Sequence, residues 1–137
     1  MTKETAKKLI SFDEVDLSSA SDTPFDLELT NLKGVKNGAV VKVLGAESEK
    51  VQAWLNNQAN RIRIQSTQKT VTGKDKVRTA EEDDEYIIES AAIRIVGWSG
   101  FEKEYSKENA TWLMAKNVSF RMQVLQASND LGNYSKD

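Results

Sequence analysis

The 137-residue chain has no cysteine, no histidine and a single proline, Pro24. The missing cysteine excludes disulfides, thiolate zinc sites and thiol nucleophiles. The missing histidine removes the commonest general base and the commonest metal ligand. An excess of either charge is also lacking: 19 basic and 21 acidic residues leave a formal charge of −2. That balance demands neither a nucleic acid nor an anionic membrane as partner. No apolar run approaches the length of a membrane span, and the start "MTKETAKKLISFDEVDL" has no apolar stretch long enough for a signal peptide. The expectation is a soluble, cytoplasmic, single-domain protein with no cofactor and no metal.

What is present divides into an arm and a domain. Residues 1–24 read as a weakly ordered N-terminal arm, rich in Ser and Asp over "DLSSASDTP", with "LISF" packing as its short apolar part. Residues 25–137 read as one α+β domain. "FDLELTN" alternates Phe25, Leu27 and Leu29 with Asp26 and Glu28, the period-two pattern of a half-buried strand. Asn37-Gly38 is a strong turn signal, and the valine-rich "AVVKVLG" follows it. The reading is an N-terminal β-hairpin, about 25–31 and 39–45. Such a hairpin is marginal alone and must pack on something.

The partner for the hairpin is about four helices, near 48–67, 79–96, 107–115 and 118–131. In the first, Val51, Leu55 and Ile62 follow one face after a Ser48 cap. "STQKTVTGKDKVR" then reads as an exposed loop. Thr79 with Glu82 forms a capping box, and the acidic run 81–85 suits the positive end of a helix dipole. Ile87, Ile88, Ala91, Ala92, Ile95 and Val96 give this second helix a broad apolar face and mark it as central, ending near Gly97. Ser106 caps the third helix, and Asn117 or Ser119 the fourth. The fourth carries Val118, Phe120, Met122, Val124 and Leu125 on more than one face, which suits an interface as well as a core.

Candidate chemistry is sparse. "GWSG" is a fragment of a nucleophile elbow, but residue 101 is Phe rather than Gly and no histidine exists to activate Ser99. No phosphate-cradling glycine loop is present. The reading is therefore non-enzymatic, with no catalytic, cofactor or metal residues. Arg61, Arg63, Lys69, Lys74, Lys76 and Arg78 gather around the loop after the first helix. Without aromatic stackers among them they read as a solvated loop, or as a secondary partner contact, rather than a nucleic-acid site. The densest feature is "VGWSGFEKEYSKENATWLM", residues 96–114, with Trp98, Phe101, Tyr105 and Trp112 in nineteen residues. Gly97, Trp98, Phe101 and Trp112 read as a structural corner between helices, with Gly97 as a left-handed helix cap.

The order Gly97-Trp98, Ser106 with Glu108-Asn109, Arg121 with Gln123-Val124, and Tyr134 resembles the C-terminal half of the tail assembly chaperones of tailed bacteriophages. "VVKVLGAESEKVQAW" is similar to the strand, turn and long helix of that family's N-terminal half. The likeness spans about residues 25–135 and is one of layout, and Tyr134 stands where the family usually has Phe. It implies a non-enzymatic viral assembly factor in the host cell cytoplasm. Its partners would be the tape measure protein and other phage tail proteins, together with self-association as an oligomer. It would bind the tape measure during tail assembly and leave before maturation. The contact residues would be Phe120, Val124 and the exposed side of the last helix, with Arg61, Arg63, Lys74, Lys76 and Arg78 secondary. The alternatives are a virion structural protein, such as a tail or head completion subunit, and a nucleic-acid-binding module.

Overall fold

A computed structural model describes residues 9–72 and 78–135, with the side chains of 66–72 left aside. The fold is α+β: an antiparallel sheet packed against several helices. Strands β1 (Phe25–Thr30), β2 (Lys36–Val43) and β3 (Ile95–Ser99) lie in the order β1-β2-β3. The helices are α1 (Leu17–Ser21), α2 (Glu49–Thr72), α3 (Ala80–Ile93), α4 (Lys107–Lys116) and α5 (Val118–Asn129). Short 3-10 turns at Phe12–Val15 and Leu131–Tyr134 precede α1 and follow α5.

The hairpin forms, but its turn is not at Asn37-Gly38. Asn31 makes it instead: its Oδ1 accepts from the Lys33 and Val35 amides at 2.9 and 3.1 Å, and Gly34 takes φ +80°. An Asx side chain reproduces a backbone turn in this way. Asn37 and Gly38 belong to β2, where the register jumps from Glu28↔Val40 to Thr30↔Lys36. The turn-like dipeptide therefore makes a bulge.

The third strand is absent from the sequence reading. Residues 94–96 end the second helix early: α3 stops at Ile93, and Ile95–Ser99 pair antiparallel with β2. The β-branched residues Ile95 and Val96 suit a strand, and β2 offers a second edge of unpaired amides and carbonyls. Gly97 consequently lies in β3 opposite Lys42 and is not a helix cap. The residue that needs glycine's freedom is Gly100, at φ +86°. A Cβ there would collide with the Gly38 carbonyl and come within 2.9 Å of the Ala39 Cα, so the end of β3 seats on the β2 bulge.

Leu29, Val41, Val43 and Ile95 from one face of the sheet meet Ala91 and Ala92 of α3, Ala110 and Met114 of α4, and Val124 of α5. Three helix starts are held as the sequence indicates. Thr79 and Glu82 close a reciprocal capping box, Ser106 accepts from the Asn109 amide, and Asn117 accepts from the Phe120 amide. The Ser48 hydroxyl likewise accepts from the Val51 amide at 3.2 Å. Helix α2 departs from expectation by running through Ser66 to Thr72, into the segment read as a loop. No glycine or proline interrupts it before Gly73, so helix propagates once nucleated.

Two polar fixtures join the layers. Arg94 is buried among neutral acceptors: its Nε donates to Ser128 Oγ at 2.9 Å and its Nη1 to the Ser90 carbonyl and hydroxyl. Ser128 in turn donates to the Leu44 carbonyl at 2.8 Å. Burial holds the Arg94 pKa below the usual guanidinium range. Gln123 of α5 offers its amide to the end of β1, accepting from Thr30 N–H at 2.9 Å and donating to Thr30 C=O at 3.0 Å. That side chain stands in for a neighbouring strand and closes part of the β1 edge.

Candidate interaction surfaces

The aromatic stretch resolves into two parts. Trp98 projects from β3 and meets Phe101 and Tyr105 in edge-on contacts, with centroids 5.1 and 5.4 Å away. Its indole N–H donates to the Lys103 carbonyl at 2.9 Å, and Tyr105 Oη donates to the Ile95 carbonyl at 2.9 Å. These bonds leave neither ring with an unmet donor. Burial pushes the Tyr105 pKa up. Trp98, Phe101 and Tyr105 thus form a packed joint between β3 and α4. Trp112 does not join it in the same way: it stands 61% exposed on α4.

Between these rings lies a shallow apolar cleft of about 180 Å³, lined by Trp98, Phe101, Trp112 and Leu113, with Glu102, Lys103 and Asn109 at its edge. Helix α5 adds a second exposed apolar strip through Val118 and Met122, which are one helical turn apart. The other residues expected to meet a partner fall apart. Val124 is fully buried and so belongs to the core; Phe120 is half-buried against that core. Their apolar character reports packing, and it is the neighbours Val118 and Met122 that face outward.

Of the basic residues, Arg61 and Arg78 line one groove between α2 and α3, where Glu82, Glu85 and Glu89 offset their charge. Arg61 and Arg63 are exposed along α2, and Arg78 is bound to Asp83 at 2.9 Å, with its guanidinium 5.9 Å from the Tyr86 ring centre. Lys74 and Lys76, and the side chain of Lys69, lie outside the described residues. The acidic run is likewise engaged at the helix start, through Glu82 in the capping box and Asp83 on Arg78. Among the described residues no three His, Cys, Asp or Glu side chains are placed to hold a metal ion. Among them, too, no helix is long and apolar enough to cross a membrane.

A second groove, of about 330 Å³, runs between α2, α3 and α4. Ile93, Ile95 and Ala92 form its floor, Trp54 and Tyr105 flank it, and Lys50, Lys107 and Glu89 add charge. Sequence reading missed this groove. Its residues come from three separated segments and share no motif. No protein-family model, curated protein or solved structure matches the chain.

The residues that carry the phage resemblance have structural tasks here. Ser106 caps α4, Arg121 donates to the Met114 carbonyl at 3.3 Å, and Gln123 closes the β1 edge. Tyr134 donates to the Val43 carbonyl at 2.8 Å and packs edge-on against Phe25. Each of these is a fold-forming contact.

Proposed function

We propose that the chain is a non-enzymatic tail assembly chaperone of a tailed bacteriophage, acting in the host cytoplasm by covering apolar stretches of the tape measure protein. What supports the reading is the exposed Trp112 beside an open, mainly apolar cleft, with the Val118–Met122 strip on the next helix. An exposed tryptophan on a packed helix is a typical anchor for a protein partner. A shallow cleft with few polar groups favours reversible, sequence-tolerant capture of apolar side chains over selection of one small molecule. A factor that must depart needs weak contacts of this kind.

The deciding experiment is a mass-spectrometric census of infected-cell lysate and purified virions. The expected result is abundant chain in lysate and none in virions, with the tape measure protein recovered in pull-downs by the native chain and lost with Trp112→Ala. A fixed copy number in virions would replace this reading by the structural one. The exposed apolar residues of the N-terminal segment favour that alternative, because subunits that remain in a particle use such arms to join neighbours.

A further inference from the structure

The densest run of exposed apolar residues lies in the N-terminal segment. Leu9, Ile10, Phe12, Val15 and Leu17 fall within nine residues and are all exposed, Leu9 and Phe12 at about nine-tenths. Every residue from 9 to 19 is exposed, so this segment adds nothing to the buried core of the described residues. Its root is nevertheless fixed. Ala20 and Ser21 are buried, the Gly45 amide donates to the Ser21 carbonyl at 3.0 Å, and Asp22 Oδ1 accepts from the Glu49 amide at 3.0 Å. The segment also has local shape. Ser11 caps the Phe12–Val15 turn, and Asp16 caps α1 through the Ser19 amide. A shaped segment loses less freedom on docking than a random coil does.

We propose that residues 9–17 of one copy seat in the α2–α3–α4 groove of a second copy, and that the exchange is reciprocal. Two observations select this occupant. The first is charge. The arm interleaves its apolar residues with Asp13 and Glu14, both exposed, while the groove sets the half-buried Trp54, Ile93 and Tyr105 beside Lys50 and Lys107, with Glu89 its single acid. An apolar, acidic segment matches an apolar, basic groove, which fixes register as well as partner. The second is area. Burying side chains of this size removes roughly 60–120 Å² each from water, so five contribute roughly 300–600 Å². One arm on an unrelated surface would cover only that much. Two exchanged arms together remove roughly 600–1,200 Å² before the groove walls are counted, which approaches the roughly 1,200–2,000 Å² total of a stable interface. A two-fold dimer closes the exchange and leaves no arm free to continue a chain of copies. The inference needs only this chain and stands whether or not the tape measure is a partner.

The test is sedimentation equilibrium on the full chain with paired charge reversals. The native protein is expected to be dimeric and Phe12→Glu monomeric. Asp13→Lys with Glu14→Lys should also be monomeric, as should Lys50→Glu with Lys107→Glu, each keeping the native far-UV circular dichroism because all four side chains lie at the surface or groove edge. Mixing the two double variants should restore a dimer, since each reversed arm then meets a reversed groove and each native arm a native groove. A monomeric native protein would overturn the proposal. So would a dimer indifferent to the reversals, or monomeric variants that stay apart on mixing.

Discussion

Helix α5 has twelve residues and buries Val124, Ala127 and Ser128; helix α2 has twenty-four and, among its described side chains, buries only Val51. Both carry apolar residues at helical spacing. The difference lies in what stands opposite. Helix α5 is held between α4, α3 and the edge of β1, and even its polar Gln123 and Ser128 are tied to backbone groups, Gln123 to Thr30 of β1 and Ser128 to Leu44 just past β2. Helix α2 meets the body most closely near its start, through Ser48, Val51 and the Trp54–Tyr86 ring contact at 5.1 Å; further on it faces α3 across an open groove lined by Gln58, Ile62 and Gln65, with Ile64 exposed. A hydrophobic stripe states which face a helix can bury, and its neighbours decide whether that face is buried.

The contrast can be broken most severely at the body's centre. Met114→Ala removes a fully buried side chain that touches sheet and helices. It should cost about 2–5 kcal/mol in urea unfolding. A loss under 1 kcal/mol would mean that the dense region is not densely packed.

Ser128→Ala comes next. It leaves the Arg94 Nε and the Leu44 carbonyl without their partner in a buried place, with an expected loss of about 1–3 kcal/mol. Ser128→Cys, close in volume but a poorer hydrogen-bonding group, should also lower the midpoint; if it does not, the network is not what joins α5 to β2.

The alkaline limb of stability sharpens the comparison further. Burial pushes the Tyr134 pKa up to about 12 from its ordinary 10, with the Arg94 charge acting in the opposite sense. The neutral phenol is the form that the fold holds. Its contribution is therefore complete below pH 10 and is lost as pH rises through about 12. Thermal melts across this window should fall more steeply for the native chain than for Tyr134→Phe. Tyr105, shifted in the same direction, keeps some slope in the variant.

The smallest effect belongs to α2. Ile64→Ala lies on its outer half and should change stability by no more than about 0.5 kcal/mol. A larger loss would show that α2 is covered in solution, and the comparison with α5 would then have to be drawn on an assembly.

Local signals were the legible ones. Thr79, Ser106 and Asn117 each mark a helix start because a cap depends on residues three positions apart. The alternation in β1 and the valines of β2 likewise mark strands from within. The third strand was not legible, because Ile95–Ser99 is short and sits directly after a strong helical pattern. Only the open edge of β2 turns it into a strand. Asn37-Gly38 misled for a related reason: the same dipeptide serves a turn or a bulge, and the choice was made by Asn31 and by the approach of Gly100. At the candidate surfaces, composition identified the aromatic joint but not which ring remains outside. Trp98 and Trp112 look alike in sequence, yet one packs against Phe101 and Tyr105 and the other faces solvent.

The sequence by itself determined the absence of thiol and imidazole chemistry, the α+β class, the helix starts and the apolar stock of the core. Each of these depends on residue identity or on contacts within a few positions along the chain. Only the tertiary structure decided that Val124 is core while Met122 is surface, that Arg94 lies inside among serines, and that Lys50 and Lys107 border one groove. Those outcomes depend on segments far apart in sequence meeting at one place, and burial is a property of that meeting.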